Sequence, residues 1–384
     1  MKLWLLLLCC AALSACSTLA PRAGQVEGLF DDALFAPATV PISAEAVFAL
    51  SPAMRQAFDS EIRPRLQRGD PRRALIEALY GKGMLRLDYD AEMTRTAAEA
   101  FDVHAGNCLS LLIMTATFAR EAGLPVRFQS VSAGEAWARS GGLLFAIGHV
   151  NLGIGRGLAS GPKDSDMTEW LTVDFIPPED LRRRRLEVID EARVLAMYMN
   201  NKSAEALALG HTDNAYAWAR AAIGQDRTFT GSFNTLGVIY QRSGHLKEAE
   251  RALRAALSIE PEHLHAMSNL VGVLGAQGRD GEALALAAEL RRLQPAAPFA
   301  AFNEGLQRMR EGRYAEAETL FERELGRTAG YHEVHFWLAV ARLKRGDNRA
   351  ALSHLRQALD GSTTREQQAL YGGKLERLKA LGVF

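Results

Sequence analysis

From about residue 190 onward, apolar residues recur every three or four positions, which is the period of an amphipathic helix. Small residues recur within this region at a fixed step. The glycines are Gly210, Gly244, Gly278, Gly312 and Gly346, and the alanines are Ala215, Ala249, Ala283, Ala317 and Ala351, each series 34 residues apart. A step of this length fits a pair of helices with a glycine in the turn between them. The pattern therefore predicts an all-α array of stacked helix pairs.

One unit of this array has side chains suited to close helix packing. Gly237 and Ala249 are small enough for two antiparallel helices to approach, and Pro261 ends the second helix. The full set is Phe233, Leu236, Gly237, Tyr240, Ala249, Leu253, Ala256 and Pro261. This set resembles the tetratricopeptide repeat. The resemblance implies an all-α tetratricopeptide solenoid over residues 190–363, closed by a capping helix over residues 364–384.

Three asparagines of the array are candidates for peptide binding. Repeat solenoids curve, and the first helix of each unit lines their concave groove. Asn234, Asn269 and Asn303 fall at or next to equivalent first-helix positions, where they could hydrogen-bond the backbone of an extended peptide. They could equally be ordinary polar surface residues. We predict that the array binds a polypeptide substrate or a partner protein.

Residues 43–189 mix helical and strand patterns, unlike the array that follows. An apolar helix begins at Cys108 and stops near Gly123, with Pro125 beyond it. Three segments after this helix have strand patterns. These predicted strands cover residues 125–131, 143–154 and 170–175. We therefore predict an α+β domain that is separate from the helical array.

The first residues have the composition of an export signal. Lys2 precedes an apolar run, Leu3–Leu13, that is too short to span a bilayer, and small residues precede Cys16. The Leu-Ser-Ala-Cys ending resembles a bacterial lipobox. That resemblance implies a lipoprotein signal peptide over residues 1–15, lipidation of Cys16 and a membrane anchor in the bacterial cell envelope, at the outer membrane and facing the periplasm. An ordinary cleaved signal followed by a chance cysteine is the alternative.

Residues 16–42 separate the predicted lipid anchor from the α+β domain. They contain Pro21, Pro37 and Pro41 and show little periodicity, so no helix or strand is predicted in them. We therefore predict that this segment is a flexible tether between the lipidated Cys16 and the first domain.

Charge and cysteine usage narrow the possible functions. The chain has 45 basic and 45 acidic residues and an isoelectric point near 7.1, so it lacks the basic field that gathers nucleic acid. Cys9 and Cys10 leave with the signal and Cys16 is predicted to be lipidated, which leaves Cys108 without a partner for an intramolecular disulfide. A solitary thiol in an oxidising compartment is expected to be buried or used.

Cys108 has the predicted surroundings of a nucleophile. It lies in the first turn of a helix, where unpaired N–H groups and the helix dipole favour a thiolate. The backbone N–H groups of Cys108 and Leu109 could also hold an oxyanion during acyl transfer. If the second and third predicted strands are antiparallel neighbours, His149 and Asp174 lie side by side and Cys108 faces them. The imidazole would then accept the thiol proton, and the carboxylate would orient the ring.

The order of these residues is similar to that of a known family. Gly106-Asn107-Cys108 starts the helix, Ala119–Val126 reads Ala-Arg-Glu-Ala-Gly-Leu-Pro-Val, and a strand His and a Val-Asp strand follow. Together they resemble the transglutaminase-like domain of the papain-type cysteine superfamily over roughly residues 85–180. The resemblance implies an α+β papain/transglutaminase-like fold with Cys108 as nucleophile, His149 as general base and acid, and Asp174 as the orienting group.

The sequence departs from this family at two points, and it leaves several functions open. Val150 and Asn151 follow His149 where larger members usually have an aromatic residue, and no side-chain oxyanion donor is identified upstream of Cys108. The leading hypothesis is thiol acyl transfer on peptide or glutaminyl amides, of the peptidase, amidase or transglutaminase type, with the array recruiting the substrate. The alternative is a non-catalytic envelope adaptor that binds a partner protein through the tetratricopeptide groove.

Two further alternatives have less support. A zinc site would use Cys108, His104, His149 and Asp174, but these residues lack the paired spacing of metal ligands. A redox function would need a resolving cysteine, which the exported chain lacks. We therefore predict no metal and no cofactor.

Overall fold

The computed structural model describes residues 26–81, 88–89, 93–132, 137–140, 143–146, 149–156, 170–175, 185–294, 299–327, 331–362 and 365–380. The predicted signal peptide and Cys16 lie outside these residues. Within them, no helix combines the length and the apolar composition that a membrane crossing requires. The chain divides into two compact units, Met1–Ile42 with Ala192–Pro295 and Ser43–Glu191 with Ala296–Phe384.

Helices dominate the first part of Ser43–Glu191. They are α1 (Pro52–Ala57), α2 (Arg63–Leu66), α3 (Pro71–Tyr80), α4 (Ala97–Val103) and α5 (Cys108–Glu121). Two short strands, β1 (Asp88–Tyr89) and β2 (Ala105–Gly106), pair in parallel just before α5. Every residue of α5 from Cys108 to Ala119 is buried, because this apolar helix packs into the interior of the unit.

A four-stranded antiparallel sheet lies against α5, with the strand order β7-β6-β3-β8. Its strands are β3 (Val126–Ser132), β6 (His149–Ile154), β7 (Leu171–Val173) and β8 (Arg185–Ile189). His149 pairs with Val131, and Leu152 pairs with Val173. The described part of this region is therefore an α+β structure. Its assignment to the papain-type superfamily stays a prediction.

The predicted strand over residues 143–154 is two strands in the structure. β5 (Leu143–Ala146) forms a hairpin with β4 (Trp137–Ser140), whereas β6 belongs to the four-stranded sheet. The apolar residues continue from β5 into β6, and a continuous apolar run does not by itself reveal where one strand ends.

Antiparallel helix pairs fill the rest of the chain. In the first unit they are α6 (Glu191–Ala208), α7 (Thr212–Gln225), α8 (Thr230–Arg242), α9 (Leu246–Ile259), α10 (Leu264–Ala276) and α11 (Asp280–Leu293). The five glycines that recur in the sequence have φ between 74° and 84°, each in the turn within a helix pair. This left-handed backbone favours glycine, which explains the fixed step in the sequence.

The second unit contains the remaining helices. They are α12 (Ala300–Arg310), α13 (Tyr314–Leu325), α14 (His332–Lys344), α15 (Asn348–Asp360) and α16 (Arg365–Ala380). Phe302, Phe321 and Leu338 form one buried cluster of this unit. Tyr371 and Leu375 of α16 pack with Leu355 in another cluster, so the segment predicted as a capping helix covers the apolar side of α15.

Residues 26–42 differ from the predicted flexible tether. Val26 and Leu29 are buried, residues Asp32–Leu34 form a 3-10 turn, and the Phe35 ring stacks on the ring of Tyr216 in α7. The segment has too few apolar residues for a core of its own. It packs instead on helices that are far away in the chain. For example, Asp32 accepts a hydrogen bond from the hydroxyl of Tyr216, 184 residues later. A pattern confined to neighbouring residues cannot predict this packing.

Candidate functional site

Cys108 is the first residue of α5, and its side chain is buried, with 7% of the residue exposed. Asn107 caps the helix: its Oδ1 accepts hydrogen bonds from the Ser110 backbone N–H at 2.9 Å and from the Ser110 hydroxyl at 2.8 Å. Gly106 is needed just before the cap, because a Cβ there would lie 2.7 Å from the Ser110 Cβ. The Gly-Asn-Cys sequence therefore fixes where the helix begins, and so where the sulfur lies.

The Asn107 side chain serves the helix start rather than a ligand. Its Nδ2 donates to the buried Thr94 hydroxyl at 2.9 Å. The Ser110 hydroxyl in turn accepts from the Arg95 N–H at 2.8 Å. Because both amide atoms of Asn107 are engaged, it is a poor oxyanion donor. The N–H groups of Cys108 and Leu109 belong to the first helical turn, where α5 itself provides no acceptor for them.

His149 and Asp174 come from adjacent strands and form a hydrogen bond. His149 begins β6, Asp174 directly follows β7, and the distance from His149 Nε2 to Asp174 Oδ1 is 2.8 Å. Only 2% of His149 is exposed. The other ring nitrogen, Nδ1, is buried and has no hydrogen-bond partner among the described residues. Cys108 lies near enough to this ring to raise its pKa. The structure thus brings the three predicted residues together around one imidazole.

The pKa of His149 depends on opposing effects. Burial lowers it, because the interior disfavours a charged ring, whereas the hydrogen bond with Asp174 and the neighbouring Cys108 raise it. The second group of effects is stronger in sum, and the pKa of His149 rises from 6.5 to about 9. His149 therefore carries a proton at neutral pH. In this state it can donate that proton to a leaving group.

The raised pKa of His149 predicts a pH-dependent stability. The folded chain holds the proton more tightly than the unfolded chain, so this stabilisation is complete below the unfolded value of 6.5 and is lost as the pH rises through about 9. Relative to His149→Gln, we expect the wild type to lose up to about 3 kcal/mol of stability between about pH 6 and about pH 10. Urea unfolding of both proteins measures it. A difference that stays constant with pH contradicts the assigned pKa.

His104 lies outside this group. It caps the C-terminus of α4 in the left-handed conformation, with φ of 52°, and its side chain is exposed next to Phe101. Its role in the structure is therefore to end a helix. Among the described residues, no group of three or more His, Cys, Asp or Glu side chains is arranged to hold a metal ion.

Two polar residues near the site were not predicted to be buried together. Gln129 on β3 and Asn151 on β6 are register partners and are 4% and 2% exposed. A side-chain oxygen of each is buried and has no hydrogen-bond partner in the part of the chain that the structure describes. Asn151 lies on the same strand face as His149. Phe128, on the other face of β3, is buried as well, so both faces of this strand are covered.

The predicted groove asparagines lie in two different units. Asn269 Nδ2 donates to Asn234 Oδ1 at 2.8 Å, which links α10 to α8. This bond does not use the amide group of Asn234 or the carbonyl oxygen of Asn269. Asn303 lies on α12 in the second unit, where its side chain is exposed.

Comparisons with known proteins identify the repeats. The tetratricopeptide repeat family matches residues 232–263 and residues 302–366. These segments carry tetratricopeptide repeats, whose general role is to bind partner proteins or peptides. No curated protein matches the chain.

Solved tetratricopeptide structures also resemble parts of the chain. YrrB, described as having an unusual peptide-binding site, is 22% identical over 47% of this chain and 92% of its own, with a TM-score of 0.26. The pilF protein of Pseudomonas aeruginosa is 24% identical over 49% and 92%, with a TM-score of 0.28. A protein of Thermus thermophilus is 18% identical over 47% and 98%, with a TM-score of 0.30. We infer nothing about function from similarities this low.

Proposed function

We propose that this chain is an adaptor of the bacterial cell envelope that binds a partner protein through its tetratricopeptide repeats. One observation carries the proposal: residues 232–263 and 302–366 match this repeat family, and the turn glycines recur with the same left-handed backbone. Anchoring through a lipid on Cys16, at the outer membrane and facing the periplasm, belongs to the same proposal. It is supported by the lipobox-like sequence.

The first helices supply the proposed binding face. Asn234 of α8 and Asn269 of α10 hold each other in place, and each keeps one amide atom that their mutual bond does not use. Ser268 and Gly272 of α10 are exposed beside them, which leaves room for a polypeptide backbone. Such a face suits an extended segment that needs hydrogen-bond partners along its length.

Site-directed photocrosslinking in cells tests this function. A photoreactive amino acid at Ser268, on the first helix of a unit, is expected to capture a partner protein. The matched control is Ala288, which is exposed on the second helix of the same unit. We expect at least about a fivefold higher crosslink yield at Ser268, since binding faces of repeat arrays are one-sided. Equal yields at the two positions contradict the proposal.

A second candidate function is thiol acyl transfer on peptide or glutaminyl amides. The observation that favours it is the His149–Asp174 hydrogen bond of 2.8 Å next to Cys108. In this proposal His149 holds the thiol proton, the Cys108 sulfur attacks an amide carbonyl as a thiolate, and the proton then passes from His149 to the departing amine. The product is a thioester between the acyl group and Cys108.

The thioester of this candidate mechanism needs a second step. Water attacks the carbonyl and gives a proton to His149, the acid leaves, and the sulfur recovers its negative charge. An amine in place of water gives an amide instead. Peptidase, amidase and transglutaminase activities share this intermediate, and the array would recruit the polypeptide substrate.

A further inference from the structure

A tyrosine side chain of the helical array hydrogen-bonds to the main chain of residues 26–42, which are called the cis segment below. The Tyr240 hydroxyl accepts a hydrogen bond from the Asp31 N–H at 3.0 Å and donates one to the Leu29 carbonyl at 2.9 Å. Tyr240 lies near the end of α8 and is fully buried. The Tyr240 hydroxyl thus acts both as donor and as acceptor toward the main chain of this segment.

An aromatic side chain of the segment packs on a platform formed by the rings of Tyr216 and Tyr240. The Phe35 ring stacks on Tyr216 of α7 with 4.1 Å between ring centroids and 13° between planes, and it lies 5.7 Å from the Tyr240 ring. The ring centroids of Tyr216 and Tyr240 are 5.9 Å apart. The rings of Tyr216 and Tyr240, which form this platform, therefore belong to the helices and not to the segment.

Acidic residues of the segment face donors on the helices. The Tyr216 hydroxyl donates to Asp32 Oδ1 at 2.8 Å, and burial together with this bond raises the pKa of Tyr216, which keeps it a donor. Arg220 lies 3.3 Å from the same carboxylate. This exposed ion pair adds little affinity, but it selects for negative charge at this position.

The start of α7 holds the remaining backbone of the segment. Asp213 Oδ1 accepts from the Ala36 N–H at 2.9 Å, and Asn214 Oδ1 accepts from the Thr39 N–H at 2.8 Å. Asn214 Nδ2 also donates to the Thr39 hydroxyl at 3.0 Å. Three helix side chains, counting Tyr240, thus bond to the main chain of the segment. Contacts of this kind recognise a peptide in a defined conformation.

We propose that the face formed by α7 and the C-terminal end of α8 is a recognition site for an acidic–aromatic peptide, and that residues 26–42 occupy it in cis. The ligand pattern is a carboxylate followed, three positions later, by an aromatic ring, as in Asp32 and Phe35. A partner segment with this pattern displaces the cis segment. The inference deepens the proposed partner-binding function and rests on it.

The contacts fit a ligand that can be exchanged. Val26 and Leu29 are the buried apolar residues of the segment, whereas Asp32, Ala36 and Thr39 are exposed. A tethered ligand competes with a free one at an effective concentration in the millimolar range. A partner segment must therefore bind tightly or be concentrated, which gives the cis segment control over access to the site.

A titration of the full chain with a free copy of the segment tests this inference. The probe is a fluorescein-labelled synthetic peptide of residues 26–42, and the readout is fluorescence anisotropy. Phe35→Ala weakens the tethered ligand but leaves its platform intact. We therefore expect the Phe35→Ala chain to bind the peptide at least about tenfold more tightly than the wild type. Adding Tyr216→Ala removes both the stacking partner and the Asp32 donor, so the gain should disappear.

The controls make the outcome decisive. A peptide that itself carries Phe35→Ala is expected to bind neither chain, which distinguishes specific binding from nonspecific binding to a misfolded variant. Equal affinities of wild type and Phe35→Ala overturn the proposal, as does a gain that survives Tyr216→Ala. Crosslinking at Ser268 does not depend on this face. Its success with failure of the titration rejects only this site, whereas its failure rejects the partner-binding function.

Discussion

His149→Ala is expected to slow the alkylation of Cys108 by iodoacetamide at least about tenfold at about pH 6. An ordinary thiol is almost entirely protonated at this pH and reacts slowly. In the wild type, His149 has a pKa of about 9 and is therefore positively charged next to the sulfur. Removing the ring removes this charge. Mass spectrometry of the full chain, sampled over time, gives the two rates.

Two variants control this experiment. His211→Ala removes an exposed histidine of the first unit and should leave the rate unchanged. Asp174→Asn keeps the shape of the side chain but not its charge, so it should slow alkylation less than His149→Ala does. If the His149→Ala chain reacts as fast as the wild type, the thiol acyl-transfer candidate is wrong, and the partner-binding proposal is unaffected.

Gly237→Ala is expected to destabilise the first unit by about 1–3 kcal/mol. Gly237 lies inside α8, where an added Cβ would be 2.6 Å from Leu253 Cγ and 2.8 Å from Leu253 Cδ2. Leu253 is fully buried in α9, and the close packing of protein interiors limits how far its side chain can move. The helices would have to separate, and their shared core would lose contacts. Thermal unfolding followed by circular dichroism measures the change.

Replacing another helical glycine by alanine should change the stability in the opposite direction. Gly272 is exposed inside α10, and an added Cβ would meet only Gln241 Nε2 at an ordinary 3.5 Å. Alanine there gains helix propensity, so Gly272→Ala should stabilise the unit by about 0.5–1 kcal/mol. Equal effects at both positions contradict the close approach of α8 and α9.

The repeat architecture is predictable because the residues that each helix pair needs lie within that repeat and recur in the next one. A glycine such as Gly244 must adopt the left-handed backbone, and a residue such as Gly237 must be small, so the requirements of the helix pair appear directly in the sequence. The packing of residues 26–42 cannot be predicted in this way, because it depends on helices far away in the chain. Their partners, such as Tyr216 and Tyr240, already fit the repeat pattern, and nothing local shows that they also hold a second segment.

The candidate site is partly predictable. The order of Cys108, His149 and Asp174 in their settings indicates a triad, but their distances depend on strand pairing. The protonation of His149 is not readable from the sequence, because it is a small difference between burial and hydrogen bonding. Likewise, the sequence does not reveal that Thr94 and Ser110 engage the amide of Asn107, because Thr94 reaches it only through the folded structure.

Affinity for the crosslinked partner, measured with purified full-length chains, tests most directly whether the array is the binding device. The variants are Cys108→Ala, Ser268→Arg on the first-helix face and Ala288→Arg as its matched control. We expect Cys108→Ala and Ala288→Arg to bind like the wild type, and Ser268→Arg to bind at least about tenfold more weakly, since a bulky charge blocks the face. Full affinity in Ser268→Arg together with lost affinity in Cys108→Ala would place recognition at the thiol site and contradict this account.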